Sequence, residues 1–238
     1  MTSRTHALML AVTLLSPVTG CSQPDAAPSR STPPSAAAEP SAPQPAQPAT
    51  PTAPRPRIVF LGDSLTAGLG LDPQQSIPAL FQAQLDAEGY AYEVVNAGVS
   101  GDTSAGGLRR LDWSLDGPVQ LLVVELGAND GLRGLPVADL KRNLQQVITQ
   151  AKSRGITVVL TGMEAPPNYG AAYTSEFRQA FKDVAREQRV HFIPFFLEGV
   201  AGDPGLNQAD GIHPNPSGAR IVERALWKAI QPLLEKHD

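Results

Sequence analysis

Cysteine is almost missing from this chain, which has one, Cys21, among 238 residues. An intramolecular disulfide is therefore impossible. No HExxH or CxxC pattern and no carboxylate cluster has the spacing of metal ligands, and the phosphate-binding GxxxxGK[ST] pattern does not occur. No basic stripe is present either, and the net charge is −4. We therefore expect no metal, no cofactor and no nucleic-acid partner.

The sequence near the N-terminus has one apolar run, at 7–15, which is shorter than the about 20 residues needed to cross a bilayer. Arg4 precedes this run, and Val-Thr-Gly-Cys follows it at 18–21. Small residues before a cysteine resemble a bacterial lipoprotein signal, in which the cysteine is lipidated. We predict a signal peptide at 1–20 and lipidation of Cys21. The alternative is an ordinary signal peptide with an incidental thiol.

The segment 22–56 is rich in Pro, Ala, Ser, Gln and Thr, and proline fills about a third of its positions. Such a composition lacks the apolar bulk that offsets the entropy of folding, and dense proline favours extended polyproline II conformations. We predict that 21–56 is a disordered tether between a membrane and a domain at 57–238. A proline-rich ligand for another protein is the rival interpretation, although the prolines show no sustained repeat.

From residue 57 onward, strand-like apolar runs alternate with helical patterns. This alternation predicts an α/β domain with a parallel sheet and helices on both faces. The predicted strands are 58–61, 92–95, 121–126, 156–160 and 190–193. The predicted helices lie around 80–85 and at 137–151, 177–186 and 217–234.

Four short motifs follow in a fixed order: GDSL at 62–65, NAG at 96–98, GAND at 127–130 and DGIH at 210–213. The first three each follow a predicted strand. Because ligands of open α/β sheets bind beyond the carboxyl ends of the strands, these motifs should meet at one edge. Together they supply the groups needed for acyl transfer by a serine hydrolase.

Within these motifs, Ser64 is the candidate nucleophile and His213 the candidate base. A serine hydroxyl needs a base to take its proton, and an imidazole that titrates near pH 6.5 suits that task. Asp210, three residues before His213, would orient the imidazole. Each residue alone has an ordinary alternative: Ser64 as a helix N-cap, and His213 on a surface turn. We interpret His191 as structural or solvent-facing.

Three candidate donors would stabilise the oxyanion: the backbone N–H groups of Ser64 and Gly98 and the side-chain amide of Asn129. Gly98 has no side chain that would block an acyl group. Taken alone, Gly98 could instead form a tight turn and Asn129 an Asx-turn.

At these residues the chain resembles the GDSL, or SGNH, hydrolase family, whose name-giving residues match Ser64, Gly98, Asn129 and His213. Longer strings resemble its thioesterase–lysophospholipase branch: NAGVSGDTS at 96–104, LVVELGANDGLRG at 122–134, PPNYG at 166–170 and DGIHPN at 210–215. The resemblance covers roughly 57–235. It implies a three-layer α/β/α fold with a flavodoxin-like parallel sheet of about five strands in the order 2-1-3-4-5. It also implies a mobile substrate loop that contains Leu132, with Tyr169 near the mouth of the site.

The resemblance favours a serine esterase that hydrolyses acyl esters, thioesters or lysolipids through an acyl-serine intermediate. We expect a monomer, attached through its lipid to the periplasmic side of a bacterial envelope membrane. One alternative is a carbohydrate O-deacetylase, since the family includes such enzymes. A second alternative is a non-catalytic envelope-binding lipoprotein, although the intact set of catalytic residues argues against it.

Overall fold

A computed structural model of the chain describes residues 54–236. The predicted signal peptide, Cys21 and nearly all of the predicted tether lie outside the described residues. Within 54–236, no helix has both the length and the apolar content needed to cross a membrane.

The sheet has five parallel strands in the order β2-β1-β3-β4-β5, as predicted. Gly62, at the end of β1, pairs with Gly98 of β2 on one side and with Glu125 of β3 on the other. The carboxyl ends of these three strands therefore lie side by side. The strands are β1 (Arg57–Gly62), β2 (Glu93–Gly98), β3 (Val119–Glu125), β4 (Thr157–Thr161) and β5 (His191–Ile193).

The helices form two groups, one on each face of the sheet. Helix α2 packs against α8, whereas α6 packs against α3 and α7. This arrangement confirms the predicted three-layer α/β/α fold. The helices are α1 (Ser64–Ala67), α2 (Ile77–Ala87), α3 (Ser104–Arg109), α4 (Leu111–Ser114), α5 (Ala128–Leu132), α6 (Val137–Ser153), α7 (Gly170–Gln188) and α8 (Pro216–Ile230).

Aromatic side chains join the layers. Phe60 of β1 contacts Phe81 of α2 at a ring-centroid distance of 5.4 Å, and Phe81 contacts Trp227 of α8 at 5.5 Å. On α7, Phe177 and Phe181 lie 5.4 Å apart and are buried. Because truncation of a buried Phe costs about 3–5 kcal/mol, these aromatic side chains contribute substantially to the stability of the fold.

Two predicted helices differ in extent from the observed ones. Helix α7 starts at Gly170 rather than at residue 177. The sequence does not predict this earlier start, because the first turns of the helix are largely exposed and carry no apolar periodicity. Helix α8 ends at Ile230 rather than at residue 234, since Pro232 lacks the N–H that would continue the helix. The short helices α1, α3, α4 and α5 have too few turns to show a period in the sequence.

Candidate active site

The first predicted site residue, Ser64, begins α1 directly after β1. Asp63 is the N-cap of this helix, and its carboxylate accepts a hydrogen bond from the Leu65 N–H at 3.0 Å. This cap satisfies one of the free N–H groups of the first turn. The Ser64 side chain is thereby presented at the carboxyl edge of the sheet.

His213 forms hydrogen bonds with both Ser64, the predicted nucleophile, and Asp210. Its Nε2 lies 2.8 Å from Ser64 Oγ, and its Nδ1 lies 2.7 Å from Asp210 Oδ2. With the ring proton on Nδ1, Nε2 is free to accept the serine proton. The geometry of a serine-hydrolase triad is therefore present.

Asp210 is held as a carboxylate by its own loop. Its Oδ1 accepts hydrogen bonds from the backbone N–H groups of Ile212 at 2.9 Å and His213 at 3.1 Å. The Ile212 N–H, followed by the His213 side chain, lowers the pKa of Asp210 to about 2. Asp210 therefore carries the negative charge that stabilises an imidazolium.

Gln208, which belongs to no motif singled out in the sequence, ties the loop that carries His213 to the segment that follows Ser64. The Gln208 side-chain amide donates to the carbonyl oxygens of Leu69 at 2.7 Å and Pro214 at 3.0 Å. Its backbone N–H donates to the His213 carbonyl at 2.7 Å. These contacts help to hold His213 close to Ser64. No local pattern marks such a glutamine, because its partners are distant in sequence.

Two of the predicted oxyanion donors face the same turn. Asn129 lies in the first turn of α5, the helix that follows β3. Its Nδ2 donates to Asp63 Oδ2 at 3.0 Å, which leaves the second amide hydrogen available. The Ser64 N–H donates to no acceptor within the described residues. Both groups can therefore serve an oxyanion that forms beside Ser64 Oγ.

Gly98, the third predicted donor, is engaged elsewhere. Its N–H donates to Asn96 Oδ1 at 3.0 Å, and a Cβ at this position would collide with the backbone of Ala67. The structure thus assigns Gly98 to the close packing of β2 against α1.

Three residues later, Gly101 has a φ of 84°, and its N–H has no acceptor within residues 54–236. The backbone N–H of Gly101 is therefore the one available as a donor. Because a positive φ favours glycine, the presence of a glycine at this turn is the signal in the sequence that could have indicated it.

Arg110, also missed from the sequence, holds the ends of β1 and β2 together. Its guanidinium donates to the carbonyl oxygens of Ala97 at 2.6 Å and Gly62 at 2.7 Å, and to Asp102 Oδ2 at 2.6 Å. Because these partners border Ser64 and Gly101, Arg110 fixes the two turns relative to each other.

An apolar pocket of about 360 Å³ opens between the nucleophile turn and the loop that carries the base. Leu65 and Ile212, the neighbours of Ser64 and His213, line it together with Leu132 of the predicted substrate loop. Tyr169 is not in the wall, and its hydroxyl instead donates to the Leu132 carbonyl at 3.0 Å. Its contact therefore holds the predicted substrate loop. Further wall residues include Met163, Pro166, Phe195 and Leu197.

The remaining candidates lie elsewhere. His191 is exposed at the start of β5, away from the three residues joined by hydrogen bonds. In the part of the chain that the structure describes, no group of three or more His, Cys, Asp or Glu side chains could hold a metal ion.

Comparison with known proteins agrees with this geometry. Residues 60–221 match the model of the GDSL-like lipase/acylhydrolase family. The chain belongs to this family. The matched residues include the end of β1, the other four strands, Ser64, Asp210, His213 and both glycine turns described above.

Members of the family with named activities are similar to most of this chain. The esterase TesA from Pseudomonas aeruginosa is 46% identical over 178 residues, which are 74% of this chain and 89% of that protein. Thioesterase 1/protease 1/lysophospholipase L1 from Escherichia coli K12 is 36% identical over 182 residues, which are 76% of this chain and 86% of that protein.

Solved structures agree as well. The crystal structure of TesA superposes with a TM-score of 0.72 at 46% identity and covers 75% of this chain and 99% of that one. The predicted SGNH hydrolase fold is confirmed. Family membership and these esterase relatives identify the protein as a serine esterase, an ester hydrolase of the GDSL type.

Proposed function

We propose that Ser64 is the nucleophile, His213 the general base and Asp210 the group that orients the base. The observation that carries this proposal is the hydrogen-bonded chain Ser64 Oγ–His213 Nε2 and His213 Nδ1–Asp210 Oδ2, which borders an apolar pocket of about 360 Å³.

In the first half of the reaction, His213 Nε2 takes the Ser64 hydroxyl proton as Oγ attacks the carbonyl carbon of the substrate. The carbonyl π electrons move to oxygen and form an oxyanion. When this tetrahedral intermediate collapses, the bond to the leaving oxygen or sulfur breaks. The leaving group takes the proton from His213 Nε2 and departs as an alcohol or thiol, and the acyl group remains on Ser64.

In the second half, water replaces the leaving group. His213 takes a proton from water as the water oxygen attacks the acyl carbon, and the second tetrahedral intermediate collapses when the bond to Ser64 Oγ breaks. Ser64 regains its proton from His213, and a carboxylic acid leaves. Asp210 stabilises the imidazolium in both halves.

The oxyanion would receive hydrogen bonds from the Ser64 N–H and the Asn129 amide. For the third donor, the free N–H of Gly101 supports this residue in place of Gly98, whose N–H is already bonded to Asn96. Each well-placed donor contributes about 3–4 kcal/mol to stabilisation of the transition state.

The pocket supports acyl chains as the substrate class. It lies between Leu65 and Ile212, next to the nucleophile and the base, and its wall is mainly apolar. Each CH₂ buried there contributes about 0.8 kcal/mol. Acyl esters, acyl thioesters and lysolipids all place a carbonyl carbon at the end of such a chain, and the Escherichia coli relative is named a thioesterase and lysophospholipase.

A chain-length series of p-nitrophenyl esters, from acetyl to palmitoyl, tests the substrate class. We expect kcat/KM to rise from acetyl to medium chains. Leu132→Ala should lower kcat/KM for the octanoyl ester by about fivefold and leave the acetyl ester within about twofold. Trp113→Ala is the matched control, because Trp113 is 77% exposed and lies outside the pocket. A preference for acetyl esters, unaffected by Leu132→Ala, would indicate the O-deacetylase alternative.

For location, we propose that the signal at 1–20 directs the chain to the bacterial envelope. Lipidated Cys21 would anchor the enzyme to a membrane on the periplasmic side, and 21–56 would tether a monomeric domain at 57–238. The small residues before Cys21 support this proposal, and multiple acyl chains on one residue would give stable anchoring.

A further inference from the structure

Two buried carboxyl groups lie beneath the nucleophile turn, and the mechanism above uses neither. The side chains of Asp63 and Glu125 have no exposed surface. Asp63 immediately precedes Ser64, and Glu125 ends β3, where it pairs with Gly62 of β1. Burial of carboxyl groups costs free energy unless hydrogen bonds compensate, so the contacts of the pair indicate its role.

The two oxygens of Asp63 hold different parts of the site. Oδ1 accepts the Leu65 N–H and caps α1 at 3.0 Å, whereas Oδ2 accepts one N–H of the Asn129 amide, also at 3.0 Å. An amide with one hydrogen fixed in this way has its second hydrogen fixed in direction as well, because the NH₂ group is planar. Asp63 thus joins the turn of the nucleophile Ser64 to a donor of the oxyanion hole.

Glu125 holds the same turn from beneath. Its Oε2 accepts the Thr66 hydroxyl at 2.8 Å and the Asp63 N–H at 3.2 Å, so one oxygen binds residues on both sides of Ser64. A Cβ at Gly62 would collide with the Thr66 side chain and lie 2.6 Å from Glu125 Oε2. The glycine therefore makes room for the carboxyl group. Glu125 Oε1 has no hydrogen-bond partner within the described residues.

We propose that Asp63 is a positioning residue for the oxyanion hole: its carboxylate fixes the Asn129 amide, and the Glu125 carboxyl group fixes the turn that carries Asp63. The inference rests on the proposed roles of Ser64 and Asn129. Because Asp63 is completely buried, it acts through Asn129 and not by contact with a substrate.

The protonation states of the pair follow from their surroundings. Burial raises the pKa of Asp63 to about 6, while the hydrogen bonds from Leu65 and Asn129 and the charge of His213 oppose the rise and Asp130 adds to it. Burial, and then the charge of Asp63, raise the pKa of Glu125 well above its ordinary value, against the hydrogen bonds from Thr66 and Asp63. These shifts favour the protonated form of Glu125, whereas Asp63, with a pKa of about 6, is mostly ionised at neutral pH. Below about pH 6, Asp63 gains a proton and loses its negative charge, which weakens the hydrogen bonds that its two oxygens accept from Leu65 and Asn129.

A double-mutant cycle with Asp63→Asn and Asn129→Ala tests the proposal. Asn at position 63 keeps the shape and an acceptor for the Leu65 N–H, but it turns an NH₂ group toward the Asn129 NH₂. Asn129→Ala alone should lower kcat by about 10²–10³. Asp63→Asn should lower kcat by about tenfold with little change in KM, and by less than about twofold when Asn129 is already Ala.

Equal loss from Asp63→Asn in both backgrounds would overturn the positioning role, since a helix cap acts regardless of Asn129. Ser64→Ala measures the catalytic background. If Ser64→Ala retains activity, the proposed function fails. If activity depends on Ser64 but Asp63→Asn lowers kcat equally in both backgrounds, only this inference is overturned.

If Asp63→Asn does not fold, Thr66→Val is the second variant, with Thr66→Ser as its matched control. Thr66→Val removes the hydroxyl that donates to Glu125 and should lower kcat, whereas Thr66→Ser keeps the hydroxyl and should have a higher kcat than Thr66→Val. Equal kcat values for the two variants would count against the proposal.

The pH dependence of kcat gives a readout that a merely structural residue would not change. In the wild type, the profile of kcat against pH should contain a step of about tenfold near pH 6, where Asp63 gains a proton. Asp63→Asn has no carboxyl group at this position and should lack the step. The same step in Asp63→Asn would contradict the proposal.

Discussion

Ser64 Oγ and His213 Nε2 lie 2.8 Å apart although 149 positions separate them in the sequence. The contact joins the turn after β1 to the loop before α8, and Gln208 braces the two segments through the Leu69 and Pro214 carbonyls. In the proposed mechanism the proton passes between these two atoms, so Ser64 and His213 should act as one functional unit.

Replacement of either member of that unit should have nearly the same effect. Ser64→Ala and His213→Ala should each lower kcat by about 10⁴-fold or more, and the double variant should be no worse than the single ones. Steady-state hydrolysis of a p-nitrophenyl ester measures this loss, and circular dichroism checks the fold. His191→Ala is the control and should retain activity. If His191→Ala removes activity and His213→Ala spares it, the base has been assigned to the wrong histidine.

The two glycines after β2 should respond differently to alanine. Gly98→Ala forces a Cβ into the backbone of Ala67 and should destabilise the protein by about 1–3 kcal/mol or more, seen as a lower Tm. At Gly101 the neighbouring space is open, but its φ of 84° disfavours alanine by about 1–2 kcal/mol. Gly101→Ala should therefore redirect the N–H, so that kcat falls strongly while Tm falls only slightly. A large fall in kcat for a stable Gly98→Ala protein would restore Gly98 as the donor.

The raised pKa of Glu125 predicts a specific dependence of stability on pH. Folding raises this pKa above its ordinary value of 4.5, so above about pH 5 the folded protein holds a proton that the unfolded chain releases. The free energy of unfolding should then fall by about 1.4 kcal/mol per pH unit as the pH rises toward the folded pKa. Glu125→Gln should remove this part of the slope. Denaturant unfolding of both proteins at pH 5, 6 and 7 measures it, and parallel slopes would show that Glu125 is ionised in the folded protein.

Membrane attachment should depend on Cys21 alone. Cys21→Ser should release the enzyme from membranes and leave ester hydrolysis unchanged, because every proposed catalytic residue lies at or beyond Ser64. Fractionation of cells that express each form, with activity measured in both fractions, checks this outcome. If both forms partition alike, whether into membranes or into the soluble fraction, the signal is an ordinary secretory one and the esterase assignment stands.

The sequence predicts the sheet well because its strands are short apolar runs such as 121–124, which is buried on both faces. It also predicts Ser64, Asn129 and His213, since each belongs to a motif at the end of such a run or in a fixed loop. The structure brings all three together.

The sequence does not reveal the residues that act through distant partners. Glu125 continues the apolar run of β3, and nothing local distinguishes it from a solvent-facing strand end; its role depends on contacts with Asp63 and Thr66, some sixty positions away. The same holds for Arg110. Gly98 and Gly101 lie three residues apart, and only the backbone geometry shows which N–H is already bonded.

The most direct test of the account is to identify the residue that a serine-reactive fluorophosphonate modifies. The purified enzyme is labelled, digested and analysed by peptide mass spectrometry, with Ser64→Ala and Asp210→Asn treated in parallel. The account predicts one label on Ser64, loss of activity in proportion to labelling, slower labelling of Asp210→Asn and none of Ser64→Ala. A label on another serine that abolishes activity, or undiminished labelling of Ser64→Ala, would contradict it.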